Sequence, residues 1–482
     1  MSERAIYSLV LVLYMGLLLI IGLATSRRLR NVEDFYLGGR RIGPWVTALS
    51  YVAAYFSSVV IIGGGGFGYK YGMATLWIGA INVLLGCTLA WIVLGKRIRE
   101  FTTRLGTMTI PGFAAERFQA KGARLFLALV IAVFLVVYNV SILKGMGHTF
   151  EVLMGVHYTW GVLLSGMIIV LYVSWGGYFA VVWTGFFQAW IMAAALILLT
   201  FGALRAVGGL AEANLKLMAL DPGLVETPGN WGWAGLVSYC LIVSFGVWGM
   251  PQMVIRFYSI KDVKMLRIGA VVASLGGAMA LLPYLCGAIA RALYPGLASP
   301  DLAVPTLTKH VLSPWGRAIF FAGVLAAGMS TFSSVLIITS SAIVRDLYQE
   351  GLNKDLSESQ IVRYSRLSSL VLGLISLLIA LRPPALILVL TAFAWAVIAS
   401  TTLWPLLFGI YWRGATRLGA LASMGGGFAT ALIWLALGSP FGLHGFIPGL
   451  GVGLILLILV SRFTPKLPEA HLRRLWGERK KV

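Results

Sequence analysis

The chain has 482 residues, of which 59% are apolar and 11% are charged. Apolar runs longer than ~18 residues recur along it, which excludes a soluble globular domain and is typical of a polytopic membrane protein. The net charge of +21 does not indicate a nucleic-acid partner, because the basic residues are spread over many loops. The lipid bilayer is therefore the predicted environment.

About thirteen membrane-spanning helices are predicted from the apolar runs. They lie near residues 5–25, 44–69, 72–95, 124–150, 158–175, 181–204, 234–255, 268–291, 316–344, 365–381, 384–411, 415–437 and 443–461. With the N-terminus outside, about 29 of the 38 lysines and arginines fall in loops on the inner side. The positive-inside rule thus predicts a multi-pass protein of the cell (inner) membrane with a cytoplasmic C-terminus.

Two of the predicted spans contain helix-breaking residues. The second span holds four consecutive glycines, 63–66, and the seventh contains Gly249-Met250-Pro251. Glycine and proline both disfavour a helix interior, so each span is expected to be broken or very closely packed. A broken helix at the same place in each half of a chain is typical of an inverted-repeat transporter.

This pairing divides the chain into two repeats of five helices, with one extra helix before them and two after. The predicted segments are 1–43 (first helix and cytoplasmic connector), 44–206 (first repeat), 207–233 (outer loop), 234–411 (second repeat) and 412–482 (two helices and a basic tail). The predicted fold class is therefore all-α, with a five-plus-five inverted repeat.

The ninth span carries an unusual row of hydroxyls. Seven serines and threonines lie between positions 330 and 341, in a segment with no charged residue between Arg317 and Arg345. Ala327, Ser330 and Thr331 share one helix face. If the broken second span packs on that face, carbonyls near Ala53 and Phe56 would complete a cage of neutral oxygens for a hard monovalent cation. The alternative is that the hydroxyls only bond to carbonyls of their own helix.

Lys144 is a cation inside the predicted fourth span, whereas none of the 17 acidic residues lies well inside a span. It could snorkel to the outer surface, pair structurally, carry a proton, or bind an anionic substrate. The three cysteines all fall inside spans and indicate neither a disulfide framework nor a metal site.

Several stretches resemble the sodium/solute symporter family. They are Phe35-Tyr36-Leu37-Gly38-Gly39-Arg40, the run 43–50, Gly249-Met250-Pro251 with Arg256-Phe257, and 327–334 continuing to Asp346-Leu347-Tyr348. The resemblance spans about residues 5–462 and implies a leucine-transporter-type fold. It also implies a sodium site on Ala53, Phe56, Ala327, Ser330 and Thr331, so Na⁺ is the expected bound ion.

The sequence departs from the family pattern at two places. Many members carry Trp-Thr-Asp at the start of the sixth span, and the aspartate helps to bind a second sodium ion, but this chain has Gly185. Ser333 and Ser334 are then the remnant of a second cation site, and one sodium ion per cycle is predicted. Proline-transporting members carry an aspartate where this chain has Tyr55.

The predicted function is sodium-coupled import of a small organic solute, either a short monocarboxylate or a proline-like amino acid, by alternating access. The predicted substrate pocket comprises Tyr55, Ser57, Tyr138, Lys144, Trp248 and Pro251. The alternative is a proton-coupled or facilitative carrier of the same fold that uses Lys144. An enzyme is not expected, because H-E-x-x-H and G-x-S-x-G motifs are absent from the sequence. The sequence leaves the oligomeric state open, a monomer included.

Overall fold

A computed structural model describes residues 2–263, 266–383 and 387–477. Helices form the regular structure of these residues, apart from one isolated β-bridge between Ile42 and Ile260. In chain order they are α1 (Glu3–Ser26), α2 (Val32–Leu37), α3 (Pro44–Tyr55), α4 (Gly64–Tyr71), α5 (Leu76–Ile81), α6 (Ala90–Leu105), α7 (Ile110–Phe118), α8 (Lys121–Met154), α9 (Tyr158–Val207), α10 (Leu210–Leu220), α11 (Gly232–Ser244), α12 (Gly246–Gly249), α13 (Pro251–Ser259), α14 (Leu266–Ala278), α15 (Leu281–Leu293), α16 (Ala303–Val311), α17 (Pro314–Ser341), α18 (Glu358–Ala380), α19 (Ile387–Tyr411), α20 (Arg417–Ala436), α21 (Phe446–Phe463) and α22 (Glu469–Trp476).

Eleven helical segments of the described residues are long and apolar enough to cross a membrane. Two of them, Val59–Leu105 and Tyr158–Val207, have 47 and 50 residues. A crossing needs about 20 residues, so each of these two has the length of two crossings, which is compatible with a prediction of about thirteen spans. The prediction of an all-α polytopic membrane protein is confirmed.

The break in the second span lies before its glycines. The helix α3 ends at Tyr55, Phe56 has an extended conformation, and the chain resumes as wide helical turns over Val59–Gly63. The glycines themselves are helical and allow α4 to pack against α15: a Cβ on Gly68 would lie 2.0 Å from the Tyr284 carbonyl oxygen. The sequence predicted a break or close packing in this span, and the structure contains both.

The seventh span is broken at the predicted position. Met250 is extended, with φ −80° and ψ 119°, and separates α12 from α13. Pro251 opens α13, where its missing amide hydrogen leaves no gap in the helix. The junction of the fifth and sixth spans is equally sharp, because Gly177 adopts a positive φ of 53° inside α9.

Two predicted boundaries differ in the structure. The segment 207–233, predicted as a loop, contains α10, whose residues Ala213 and Leu217 are buried. The ninth span does not end at residue 344, because wide helical turns continue α17 through Ala342–Gln349. This extension buries Asp346, which is 1% exposed and lies near the end of the segment Pro314–Gln349, so the expectation that no acidic residue lies well inside a span is not contradicted.

Candidate cation and substrate site

The broken end of α3 packs against the row of hydroxyls on α17. Ser330 Oγ lies 2.7 Å from the Ala53 carbonyl oxygen and 3.0 Å from that of Ala327. Thr331 Oγ1 lies 3.0 Å from the Ala54 carbonyl oxygen and 3.1 Å from that of Ala327. We call these five oxygens the oxygen cage; all five residues are buried.

The cage follows from local chain chemistry. Because α3 stops at Tyr55, the carbonyls of its last turn lack the amide donors that a continuous helix would supply. Each cage hydroxyl has a single hydrogen to donate but lies within 3.1 Å of two carbonyl oxygens. Oxygen acceptors therefore outnumber hydrogens, which is an arrangement suited to a small cation.

Both alternatives predicted for the hydroxyls occur together. They contact the Ala327 carbonyl of their own helix, and they also reach across to α3. The sequence did not point to Ala54, whose carbonyl faces Thr331. Phe56 is buried at the break, but within the described residues no hydrogen bond joins its carbonyl to either hydroxyl.

The predicted remnant of a second cation site contains an arginine. Ser333 and Ser334 both donate to the Ser330 carbonyl, at 3.0 and 2.8 Å. Arg256 Nη2 donates to Ser334 Oγ at 2.7 Å, and the guanidinium lies 5.2 Å from the centre of the Tyr178 ring. Arg256 is 1% exposed, so a fixed positive charge lies beside these serines.

A cavity of about 60 Å³ lies beside the helix break. It is lined by Tyr55, Ser57, Val59, Val60, Gly64, Phe67, Tyr138, Tyr239, Ile242, Val243, Tyr284, Thr391, Ala392 and Trp395. None of these lining residues is charged. The Ser57 hydroxyl and the Trp395 indole nitrogen are buried beside the Tyr138 hydroxyl, and neither forms a well-aligned hydrogen bond among the described residues. A solute in the cavity could bond these three polar groups.

Three of the six predicted pocket residues, namely Tyr55, Ser57 and Tyr138, line this cavity. The other three lie elsewhere. Trp248 donates from Nε1 to the Leu85 carbonyl oxygen at 2.8 Å, and Pro251 borders a separate small cavity.

Lys144 is the third predicted pocket residue that does not line the cavity. It lies within electrostatic reach of Asp301, in the turn before α16. Burial raises the pKa of Asp301 above its ordinary value, while Lys144 and His148 oppose that shift. This environment agrees with the structural pairing that the sequence left open for Lys144.

Sequence reasoning did not include several aromatic walls of the cavity. Tyr239 and Tyr284 come from α11 and α15, and Trp395 from α19 lies edge-on to Tyr138 with ring centres 6.0 Å apart. No local pattern marked them, because their helices are apolar on several faces.

Side-chain contacts join the loops at the end of the bundle that carries most of the basic residues. Arg40 bonds Glu33 at 2.6 Å and the Thr107 carbonyl oxygen at 2.7 Å, which ties the connector after α1 to the loop before α7. The Tyr178 hydroxyl lies 3.1 Å from Ser259 Oγ, below the break in the seventh span. These contacts hold the connector after α1, the loop before α7 and the end of α13 together.

Comparison with known proteins identifies the architecture. The model of the sodium:solute symporter family matches residues 35–427. This chain belongs to the sodium:solute symporter family. Among its relatives, the osmoregulated proline transporter OpuE of Bacillus subtilis (strain 168) is 34% identical over 98% of this chain and 97% of its own. The high-affinity proline transporter PutP of the same strain is also 34% identical, over 94% of this chain and 97% of its own. A sodium/proline symporter of Staphylococcus aureus is 31% identical over 95% and 93% of the two chains.

Two solved transporter structures share the fold of this symporter. A sodium-coupled sialic acid symporter in a substrate-bound outward-open state superposes with a TM-score of 0.84 at 18% identity, covering 96% of this chain and 98% of the other. Mhp1, a nucleobase-cation-symport-1 family transporter in a closed conformation, gives a TM-score of 0.57 at 16% identity, covering 92% and 99%. These likenesses concern the fold alone.

The predicted family membership and sodium-coupled symport of a solute are thus confirmed, with sodium as the coupling ion. The symporter has a small-molecule substrate and is embedded in a membrane. The matched relatives are transporters, which agrees with the expectation of transport rather than catalysis.

Proposed function

We propose that this symporter imports proline or a close analogue together with one sodium ion per cycle. The observation that carries the proposal is the oxygen cage beside an uncharged cavity, with Tyr55 and Ser57 of the same break lining that cavity. The proline transporters and sodium/proline symporters among the relatives support this choice of solute.

The oxygen cage would hold the sodium ion. Neutral carbonyl and hydroxyl oxygens bind a hard cation without introducing a fixed charge into the membrane. A bound ion would connect α3 to α17 and favour the conformations in which the two helices are in contact, which is a shift of population by differential affinity. With the N-terminus outside in the cell membrane, the membrane potential would contribute about 2.3 kcal/mol per 100 mV for one inward charge.

The chemistry of the cavity favours a zwitterion over a monocarboxylate. A monocarboxylate would need a counter-charge, but no charged residue lines the cavity and Lys144 is near Asp301 instead. The break in the second span offers partial charges of both signs beside the cavity, from the carbonyl end of α3 and the amide end of the turns over Val59–Gly63, which suits an amino acid whose carboxylate and ammonium groups are close together. The aromatic and aliphatic walls would contact an apolar ring such as that of proline.

The test is uptake by the purified protein in proteoliposomes. An inward sodium gradient should drive accumulation of radiolabelled proline, and unlabelled proline should compete better than lactate or pantothenate. Proline uptake that is the same when choline replaces sodium outside would contradict a sodium site at the oxygen cage. So would uptake that an inward proton gradient drives equally well without sodium. Sodium-driven uptake of lactate without uptake of proline would contradict only the choice of substrate.

A further inference from the structure

Asp346 is a buried carboxylate with one oxygen unpaired. It lies in the helical extension after α17 and is 1% exposed. Its Oδ1 accepts a hydrogen bond from Thr109 Oγ1 at 2.9 Å, whereas its Oδ2 has no partner among the described residues. An ionised oxygen without a donor is costly to bury, so this oxygen calls for an occupant that neutralises or solvates it.

Two cavities meet at Asp346 and Thr109. The inner one, of about 20 Å³, also borders Pro251, Ile255 and Ser341, and so reaches the break in the seventh span. Its other walls are apolar. A cavity needs about 10–15 Å³ to hold one water molecule, so the inner cavity has room for one water or one small ion. The outer cavity, of about 130 Å³, opens among the polar loops at the end of the bundle that is rich in basic residues.

Within the described residues no arginine bonds the Asp346 carboxylate, although Arg124 and Arg345 lie near enough to act on it electrostatically. The charged groups of the outer cavity are Glu116, Arg124, Arg345, Asp346 and Glu350. Arg124 bonds Glu116 at 3.1 Å and Glu350 at 2.6 Å. Arg345 Nη1 lies 3.3 Å from the Met108 sulfur, so its bonded partner is not an acid. With three acids and two arginines, the lining lacks one positive charge.

We propose that Asp346, with the hydroxyls of Thr109 and Ser341, forms a second and weaker site for a monovalent cation. Sodium would occupy it on its way from the oxygen cage to the cytoplasm. Asp346 is roughly 22 Å along the helix from Thr331 at 1.5 Å per residue, so the two sites are separate. The inference goes beyond the cage and depends on the proposed function only for the identity of the ion.

Arg256 separates the two sites in this conformation. It donates to Ser334, which lies between Thr331 and Asp346 on the same helix. A cation leaving the cage would meet this fixed positive charge, so its transfer requires α13 to move. The carboxylate beyond the arginine supplies the attraction that makes the inner position favourable for a cation.

The experiment is equilibrium binding of radioactive sodium to the full-length protein in lipid nanodiscs. The wild type should titrate in two phases, a tight one and a weak one. Asp346→Asn should remove the weak phase and reduce saturation by one ion per chain, and Thr331→Ala should remove the tight phase. Glu350→Gln is the matched control, because it removes an acid of the same cavity that is already paired with Arg124; it should keep both phases.

A titration of Asp346→Asn that matches the wild type would overturn the inference, as would an equal loss in Glu350→Gln. If Thr331→Ala keeps the tight phase, the sodium site proposed at the oxygen cage is contradicted. The site at Asp346 is then tested separately by Asp346→Asn. If Asp346→Asn does not yield folded protein, Ser341→Ala keeps the carboxylate and should weaken the weak phase several-fold. An unchanged weak phase in that variant also overturns the inference.

Discussion

Thr331→Ala tests the oxygen cage most directly. Its hydroxyl is one of the five cage oxygens and lies 3.0 Å from the Ala54 carbonyl oxygen across the interface between α17 and α3. Interactions of a hydroxyl with a charged group contribute about 1.5–3 kcal/mol, which corresponds to about 10- to 150-fold in affinity. The sodium concentration for half-maximal proline uptake should therefore rise at least about tenfold by the same reckoning.

The assay is initial-rate uptake in proteoliposomes at a fixed proline concentration and varied external sodium. Thr331→Ser keeps the hydroxyl and should remain close to the wild type. Thr339→Ala is the control for general damage, because Thr339 is buried on the same helix and its hydroxyl donates only to the Val335 carbonyl, at 2.7 Å. If Thr331→Ala responds to sodium like Thr339→Ala, the hydroxyl is not a ligand and the reasoning is refuted.

Three further predictions follow from packing and charge. Gly68→Ala should lower the melting temperature and the yield of folded protein, since its Cβ would lie 2.0 Å from a carbonyl oxygen of α15, whereas Gly425→Ala, with nothing within 4 Å, should be neutral in the same thermal assay. Lys144→Gln should leave the KM for solute uptake unchanged. It should also raise the pKa of Asp301 further, because Lys144 opposes the upward shift caused by burial. An increased KM would indicate that Lys144 contacts the solute. Burial lowers the pKa of His444 to about 4. Between about pH 6.5 and 4 the unfolded chain therefore binds more protons than the folded one, and the free energy of unfolding falls as the pH drops through that window. His444→Gln should flatten this part of the plot of stability against pH, and an unaltered plot would show that the imidazole does not cause the fall.

The structure also explains why a single sodium ion is proposed. The family resemblance puts Gly185 where many members carry a carboxylate, and in the structure Arg256 bonds Ser334. Positive charge at that point disfavours a second cation near the cage, because two like charges repel strongly in a membrane interior. The weaker site inferred at Asp346 lies on the far side of the arginine.

The sequence alone determined the membrane class, an approximate number of spans, the presence of a break in two of them and the helix face that carries the hydroxyls. Each of these is local: a crossing needs a certain length of apolar residues, Pro251 opens a new helix in the seventh span, and residues three or four apart share a face. The resemblance of a few motifs then assigned sodium to the place where a break and the hydroxyls meet.

Only the tertiary structure decided which groups meet across helices. It paired Thr331 with Ala54, set Arg256 against Ser334, brought Lys144 near Asp301 and buried Asp346 between two cavities. These contacts depend on the rotation and depth of each helix, which are fixed by packing along its whole length. In a chain whose helices are apolar on nearly every face, the local pattern does not encode that rotation.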